Sequence, residues 1–425
     1  MIKIFTENEV EEIFKRNENL SDKFDETVKL IIEDVKERKD KALLDYAVKF
    51  DKVRLDSLEV SEKEIEEAES QIDPLVKEAI NEAASNIAEF HKRQLDDGFM
   101  MEKEDGIVLG QKVVPLEKVG IYVPGGTACY PSTVLMNAIP AKIAGVKNII
   151  MTTPPKQDGT ILPEVLYAAK VAGVNKIFKT GGAGAIAALA YGTESIPSVD
   201  KITGPGNIYV ATAKKFVFGK VAIDMIAGPS EILIVADKGA DAAVVAADML
   251  SQAEHDRLAS AVLITDDKNL ATAVLEEIEK QLCVLSRKEI ARRAIDDMSK
   301  IIVTDDLTKG IDIANEIAPE HLELMVEQPF ELLPYVKNAG SIFLGYNTPE
   351  PIGDYFAGPN HTLPTSGTAK FSSPLSALDF VKRSSYIYYT KEALKKAKDK
   401  VMAFAESEGL TAHANSIGVR FKDNE

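Results

Sequence analysis

The spacing of apolar positions changes twice along the 425 residues. Over roughly the first hundred, they recur at helical spacing among strong helix formers. Val76-Lys77-Glu78-Ala79-Ile80-Asn81-Glu82-Ala83-Ala84 is typical, and the pattern predicts an N-terminal helical region over 1–112. From residue 113, short β-branched runs at 120–123, 148–152, 176–179 and 201–203 alternate with Ala-rich helical stretches. That is the βαβ rhythm of a parallel sheet, and it predicts a first βα lobe over 113–229. A second series opens at 231–236 and continues at 261–265, 300–304 and 341–344, giving a second lobe over 230–376. Its last part, 345–376, is rich in Gly and Pro with little periodicity, as in a long functional loop. A tail domain over 377–425 should hold a strand at 386–389, a helix at 391–407 and another strand near 417–420. The fold class expected is α/β: two Rossmann-like βα lobes, an N-terminal helical segment and a small C-terminal tail domain.

Composition narrows the chemistry. Lys and Arg number 50 and Asp and Glu 67, so the formal charge is 50 − 67 = −17. A chain this acidic repels phosphate backbones, which excludes nucleic acid as the expected partner. An anionic cofactor would need help from helix N-termini or backbone amides. The two cysteines, Cys129 and Cys283, are too few for a disulfide framework and fit a reducing compartment. No apolar run approaches membrane-spanning length, and Met1-Ile2-Lys3-Ile4-Phe5 does not read as a signal peptide. The expectation is a cytoplasmic protein without a membrane partner.

Only five histidines are present, and four lie within seven residues of a carboxylate in distinctive segments. Gln252-Ala253-Glu254-His255 ends a predicted helix over 246–255, where Gln252 and His255 share a face; the pair reads as two metal ligands or as a solvated helix end. Glu320-His321, after Pro319, offers a carboxylate and an imidazole for proton transfer, or else the acidic first turn of a helix. Asp354 and His361 stand seven apart in the irregular stretch. Glu408 and His413 flank Gly409, which should end the last helix. Gln252, His255, Asp354 and His413 together make a four-coordinate N/O set suited to Zn²⁺. Cys129 has no neighbour in sequence that would activate it as a nucleophile.

Three glycine-rich turns follow predicted strands: Gly125-Gly126, Gly181-Gly182-Ala183-Gly184, and Gly204-Pro205-Gly206-Asn207. The second fits G-x-G-x-x-A from Gly182, but the acidic residue expected at the end of the next strand is missing. Such turns bind phosphate or simply permit tight packing.

The segments VGIYVPGGTACYPSTVLMNAIPAKIAGV, TGPGNIYV, AIDMIAGPSEILIVAD, LSQAEHDRLASAVLIT, IAPEHLEL, GDYFAGPNHTLPTSGTAKFSSPLS and EGLTAHANSI resemble histidinol dehydrogenase in order and spacing, over nearly the whole chain. The resemblance implies NAD-dependent four-electron oxidation of L-histidinol to L-histidine through the aldehyde, with one Zn²⁺ per subunit. It implies zinc ligands at Gln252, His255, Asp354 and His413, the last supplied by the other subunit of a homodimer whose C-terminal tails are exchanged and whose active sites are shared. Glu320 and His321 match the catalytic acid–base pair. Ser230, His361 and Glu408 match substrate contacts, alongside the catalytic and metal residues. Tyr122, Asn207 and the position of Gly184 match the nucleotide site. Gly184 departs from the family pattern, which has Gln there, so the implied cofactor pocket has one hydrogen-bonding side chain fewer.

Overall fold

The computed structural model describes residues 2–7, 9, 24–125 and 130–421. The chain divides into two compact units, one from 1–94 with 116–380 and one from 95–115 with 381–425. Among the described residues, no helix is long and apolar enough to cross a membrane.

Fourteen strands are described: β1 Lys3–Thr6, β2 Gly98–Lys103, β3 Ile107–Pro115, β4 Lys118–Tyr122, β5 Asn148–Thr153, β6 Lys176–Lys179, β7 Lys201–Thr203, β8 Ala222–Ile223, β9 Glu231–Ala236, β10 Ser260–Thr265, β11 Lys300–Val303, β12 His321–Met325, β13 Ser341–Leu344 and β14 Val381–Tyr388. The larger unit holds two all-parallel sheets. One runs β6-β5-β4-β7-β8 and the other β1-β11-β10-β9-β12-β13. Parallel sheets are covered by helices on both faces, so their strands are apolar throughout rather than alternating. Ile232, Leu233, Ile234, Val235 and Ala236 are accordingly all buried; Val245, Met249 and Leu250 of the helix Ala242–Ala253 share a core with Ile232, Ile234 and Ala236, and Leu233 and Val235 join the core on the other face. Asp241 caps that helix by accepting from Ala243 N at 2.8 Å. The smaller unit is an antiparallel sheet, β14-β3-β2, with the helices Lys391–Ser407 and Thr411–Gly418 packed on each other.

Five expectations need correction. The N-terminal region is not helical at its two ends. Lys3–Thr6 is a strand paired with β11, its Ile2 and Phe5 buried and Ile4 exposed, and Gly98–Lys103 is β2. The strand expected near 417–420 is instead the end of the helix Thr411–Gly418 and the start of a 3-10 turn, Val419–Phe421; small Ala414 packs inward while Val419 stays exposed. The helix Ala242–Ala253 stops short of His255, which lies on the following turn. Glu320-His321 starts no helix; His321 opens the strand β12. The stretch 345–376 contains a short helix, Glu350–Tyr355, and Asp354 sits on it rather than on a loop. Cys129 lies outside the described residues.

Candidate active site

Strand β12 is the anomaly from which the site grows. Its five residues, His321-Leu322-Glu323-Leu324-Met325, are all buried, and two of them are polar. Burying an imidazole and a carboxylate is unfavourable unless something compensates each of them. Alternation puts His321 and Glu323 on one face of the strand.

His321 is fixed at one nitrogen. Its Nδ1 donates to Glu231 O at 3.0 Å, and Gln252 Nε2 lies 3.5 Å away. In a neutral ring Nε2 then carries the lone pair. Among the described residues that atom has no hydrogen-bond partner, yet Asp354 Oδ1 stands 3.6 Å from it and Glu350 Oε1 3.9 Å. A lone pair facing two carboxylates calls for positive charge between them, either a proton or a metal ion. His321, Glu350 and Asp354 can in fact offer ligand atoms all within 4.8 Å of one another.

Glu320 reaches back to the same place. Its Oε2 accepts from Glu231 N at 2.9 Å and lies 3.8 Å from His321 Nδ1. Burial pushes the Glu320 carboxyl up to about 7, with Asp354 and Glu231 adding to the rise and His321 opposing it. Burial disfavours the charged His321 ring, but Glu320, Asp354 and Glu350 together outweigh that and raise it to about 10. Burial likewise pushes Asp354 up, but the nearby His321 ring together with His361 outweighs that and holds it well below the usual carboxylate range. Burial raises Glu350 to about 9, aided by Asp354.

A layer of further carboxyls supports this cluster. Glu323 Oε1 accepts from Glu350 N at 2.8 Å, pinning the first turn of the helix that carries Asp354. Asp248 lies beside Glu323; burial raises the two to about 6 and about 8. Gln252, 1% exposed, leaves its Oε1 without a partner. His361 Nδ1 donates to Asp354 O at 2.9 Å, and its Nε2 is 3.5 Å from Thr133 Oγ1. Burial holds both His361 and His255 below the usual imidazole range. Ser230 precedes β9, its carbonyl accepting from Ser260 N at 3.0 Å. Glu408 and His413 belong to the smaller unit.

Glu231, His321 and Ser230 stand at the N-terminal edge of their sheet. The expected nucleotide residues occupy the C-terminal edge of the other, where α/β sheets usually take ligands. Tyr122 ends β4, and its hydroxyl accepts from Gly182 N at 3.2 Å. Gly182, with φ +63°, opens the helix Gly182–Tyr191, and a Cβ there would meet nothing within 4 Å. Asn207 caps the helix Ile208–Val217, its Oδ1 accepting from Tyr209 N at 3.1 Å and Val210 N at 3.2 Å. Gly184 is buried, and a side chain there would start 3.3 Å from Leu43 and Tyr46, which occupy that direction instead. Thr133, on the helix Pro131–Ile143 that follows β4, joins the two edges through its contact with His361.

The residues that sequence reasoning missed are Glu350, Glu323 and Asp248. Glu350 had a faint signal, four positions before Asp354, which is one helical turn. Glu323 had another, two positions after His321, which is one strand repeat.

Two parallel sheets, one ending in glycine-rich turns and the other holding an imidazole ringed by carboxylates, mark an α/β enzyme fold with a candidate acid–base site. The histidinol dehydrogenase family profile matches residues 14–421. Histidinol dehydrogenase of Clostridium acetobutylicum is 56% identical over 396 residues, 93% of this chain and 92% of that protein. The Listeria monocytogenes serovar 1/2a enzyme is 56% identical over 409 residues, 96% of each. The crystal structure of histidinol dehydrogenase from Elizabethkingia anophelis aligns with TM-score 0.95 at 41% identity, covering 99% of this chain and 98% of that one. The chain belongs to the histidinol dehydrogenase family, oxidoreductases of histidine biosynthesis.

Proposed function

We propose that the chain oxidises L-histidinol to L-histidine through the aldehyde in two NAD-dependent steps, at a site holding one Zn²⁺ per subunit. The observation that carries this is the His321 ring, held at Nδ1 by Glu231 O with Nε2 turned toward Asp354 and Glu350.

The residues fit a metal. Gln252 Oε1 is buried without a partner, Asp354 stays ionised, and the lowered His255 favours the neutral imidazole that metals bind. Gln252, His255 and Asp354 would hold the ion, with His413 of the partner subunit completing the set through an exchanged C-terminal tail. The nucleotide edge fits NAD. Among the described residues nothing approaches a Cβ at Gly182, at a helix start where backbone amides favour phosphate, and Asn207 spends its oxygen on the helix, which leaves its amide N–H groups to serve as donors. Bound zinc would anchor the substrate as a Lewis acid, and NAD would accept hydride.

The chain's own residues move the protons. His321 takes the hydroxyl proton as the carbinol carbon loses hydride. When Asp354 is engaged by a cation, less of its charge reaches His321, and the ring returns toward the neutral form a base requires. Glu320 then removes a proton from water as the water oxygen bonds to the aldehyde carbon, and the resulting hydrate loses the second hydride. Ser230, His361 and Glu408 would hold the substrate's polar groups. The paucity of cysteine and the biosynthetic family support a cytoplasmic enzyme.

The test is NADH formation from L-histidinol before and after chelation and zinc repletion. Two NADH per histidinol, lost on chelation and regained with zinc, is the expected result. No NADH from zinc-loaded protein would sink the reading.

A further inference from the structure

A second buried cluster lies outside the acid–imidazole site, at the turn Gly204-Pro205-Gly206-Asn207. Lys214 Nζ pairs with Asp224 Oδ1, and the two side chains are 2% and 1% exposed. Such a pair is costly to desolvate, and it contributes only where further hydrogen bonds satisfy its remaining atoms. Those bonds converge on one residue. Lys214 Nζ donates to Gly204 O at 3.0 Å, and Asp224 Oδ2 accepts from Gly204 N at 2.8 Å. The two halves of the ion pair therefore hold both peptide groups of Gly204. Asp224 Oδ1 also accepts from Met225 N at 2.7 Å.

Gly204 is held in a conformation other residues avoid. Its φ is +115°, and a Cβ would lie 2.0 Å from Tyr122 O. The clamp thus presses the start of the turn onto the backbone of Tyr122. Three residues later the turn ends at Asn207, which caps the same helix, Ile208–Val217, that carries Lys214. Gly204 thus links the backbone of Tyr122 to the turn that ends at Asn207.

We propose that Lys214 and Asp224 are positioning residues for the nucleotide: their ion pair clamps Gly204 so that Tyr122 and Asn207 are preorganised for the dinucleotide. This rests on the reading that this edge takes NAD. Preorganised contacts save the ordering cost of binding, so loosening the clamp weakens NAD and leaves the acid–imidazole site alone.

The experiment uses zinc-loaded enzyme, with NAD and L-histidinol varied separately and NAD binding followed by calorimetry. Lys214→Met should raise both KM and Kd for NAD about tenfold, the equivalent of about 1.4 kcal/mol, while kcat at saturating NAD and KM for histidinol stay within about twofold. Because Lys214→Met strands a buried carboxylate, the double variant Lys214→Met/Asp224→Asn removes both charges together and should show the same rise with the fold retained. A lowered Tm with unchanged NAD constants in the double variant would overturn the proposal. Asn207→Ala separates the two failures. If it weakens NAD and the double variant does not, the clamp is refuted and the nucleotide edge stands. If neither weakens NAD, both are refuted.

Discussion

His321 stands among three carboxylates and has one nitrogen committed to a backbone carbonyl. Its reactivity is therefore confined to Nε2, and which groups neutralise Asp354 decides whether that atom is free. Replacing it should slow both oxidations: His321→Asn is expected to cost about 10²–10⁴-fold in each half-reaction, measured with histidinol and with the aldehyde as separate substrates. Glu320→Gln should cost a similar factor in the aldehyde step alone, and equal losses in both steps would refute that division of labour. The pH profile follows from burial. With its carboxyl raised to about 7, Glu320 is ionised above that pH and protonated below it. A base must be ionised, so the aldehyde-step rate of the unmodified enzyme should fall as pH drops through about 7, and this limb should vanish in Glu320→Gln. A limb that survives the substitution would assign it to another group.

The elements around the site are tied together by the same buried carboxyls. Glu323 holds the first amide of the helix Glu350–Tyr355, so His321 and Asp354, on separate elements, keep their distance. Glu323→Ala leaves that amide unsatisfied, at a cost of about 1–3 kcal/mol, and should weaken zinc in chelator competition. Glu323→Gln keeps an acceptor and should cost less. Linkage adds a sign. Burial and Asp248 raise Glu323 from 4.5 to about 8, so between those values the unfolded chain has released a proton that the folded chain retains. Wild type therefore loses stability as pH rises through that window, and Glu323→Gln loses less, keeping only the slope that Glu320, Glu350 and Asp248 contribute. Thermal melts at several pH values should show the two diverging from pH 5 to 8; parallel curves would mean that Glu323 ionises normally.

Legibility from sequence followed the same physics. The apolar strands β5, β9 and β10 announce themselves as β-branched runs, because both their faces are buried. Strand β12 does not, since His321 and Glu323 interrupt it, and those interruptions are the site. Short β1 borrows its partner from residues 300–303, beyond the reach of any local pattern. The motif residues Gln252, His321, Asp354 and His361 were visible as chemistry. Glu350 and Glu323 were ordinary acidic letters until folding buried them.

At the scale of the whole molecule, one sheet presents its C-terminal edge and the other its N-terminal edge, bridged where Thr133 meets His361. On the proposed reading, hydride acceptor and proton acceptor would be held by different sheets, and each could be disabled alone. Metal removal acts on the whole as well. A ligand at a hundredfold excess over its Kd stabilises the folded state by about 2.7 kcal/mol, so chelation should lower Tm and zinc should restore it. An unchanged Tm after verified loss of the ion would deny the site a structural share. The proposed tail exchange carries a sharper forecast. Asp354→Ala and His413→Ala should each be inactive, yet refolding them together should yield mixed dimers with one intact site, about a quarter of full activity. No recovery would exclude exchange.

The first strand sets the calendar of biosynthesis. Lys3 pairs with Lys300 and Thr6 with Val303, so β1 emerges from the ribosome long before its partner is made. At about 5–20 residues per second, the nascent chain carries an unpaired edge for roughly 15–60 s. The sheet that holds His321 cannot close until most of the message has been read. Translation speed and chaperone supply should therefore govern the yield of active enzyme more strongly than they would for a chain whose neighbouring strands follow one another.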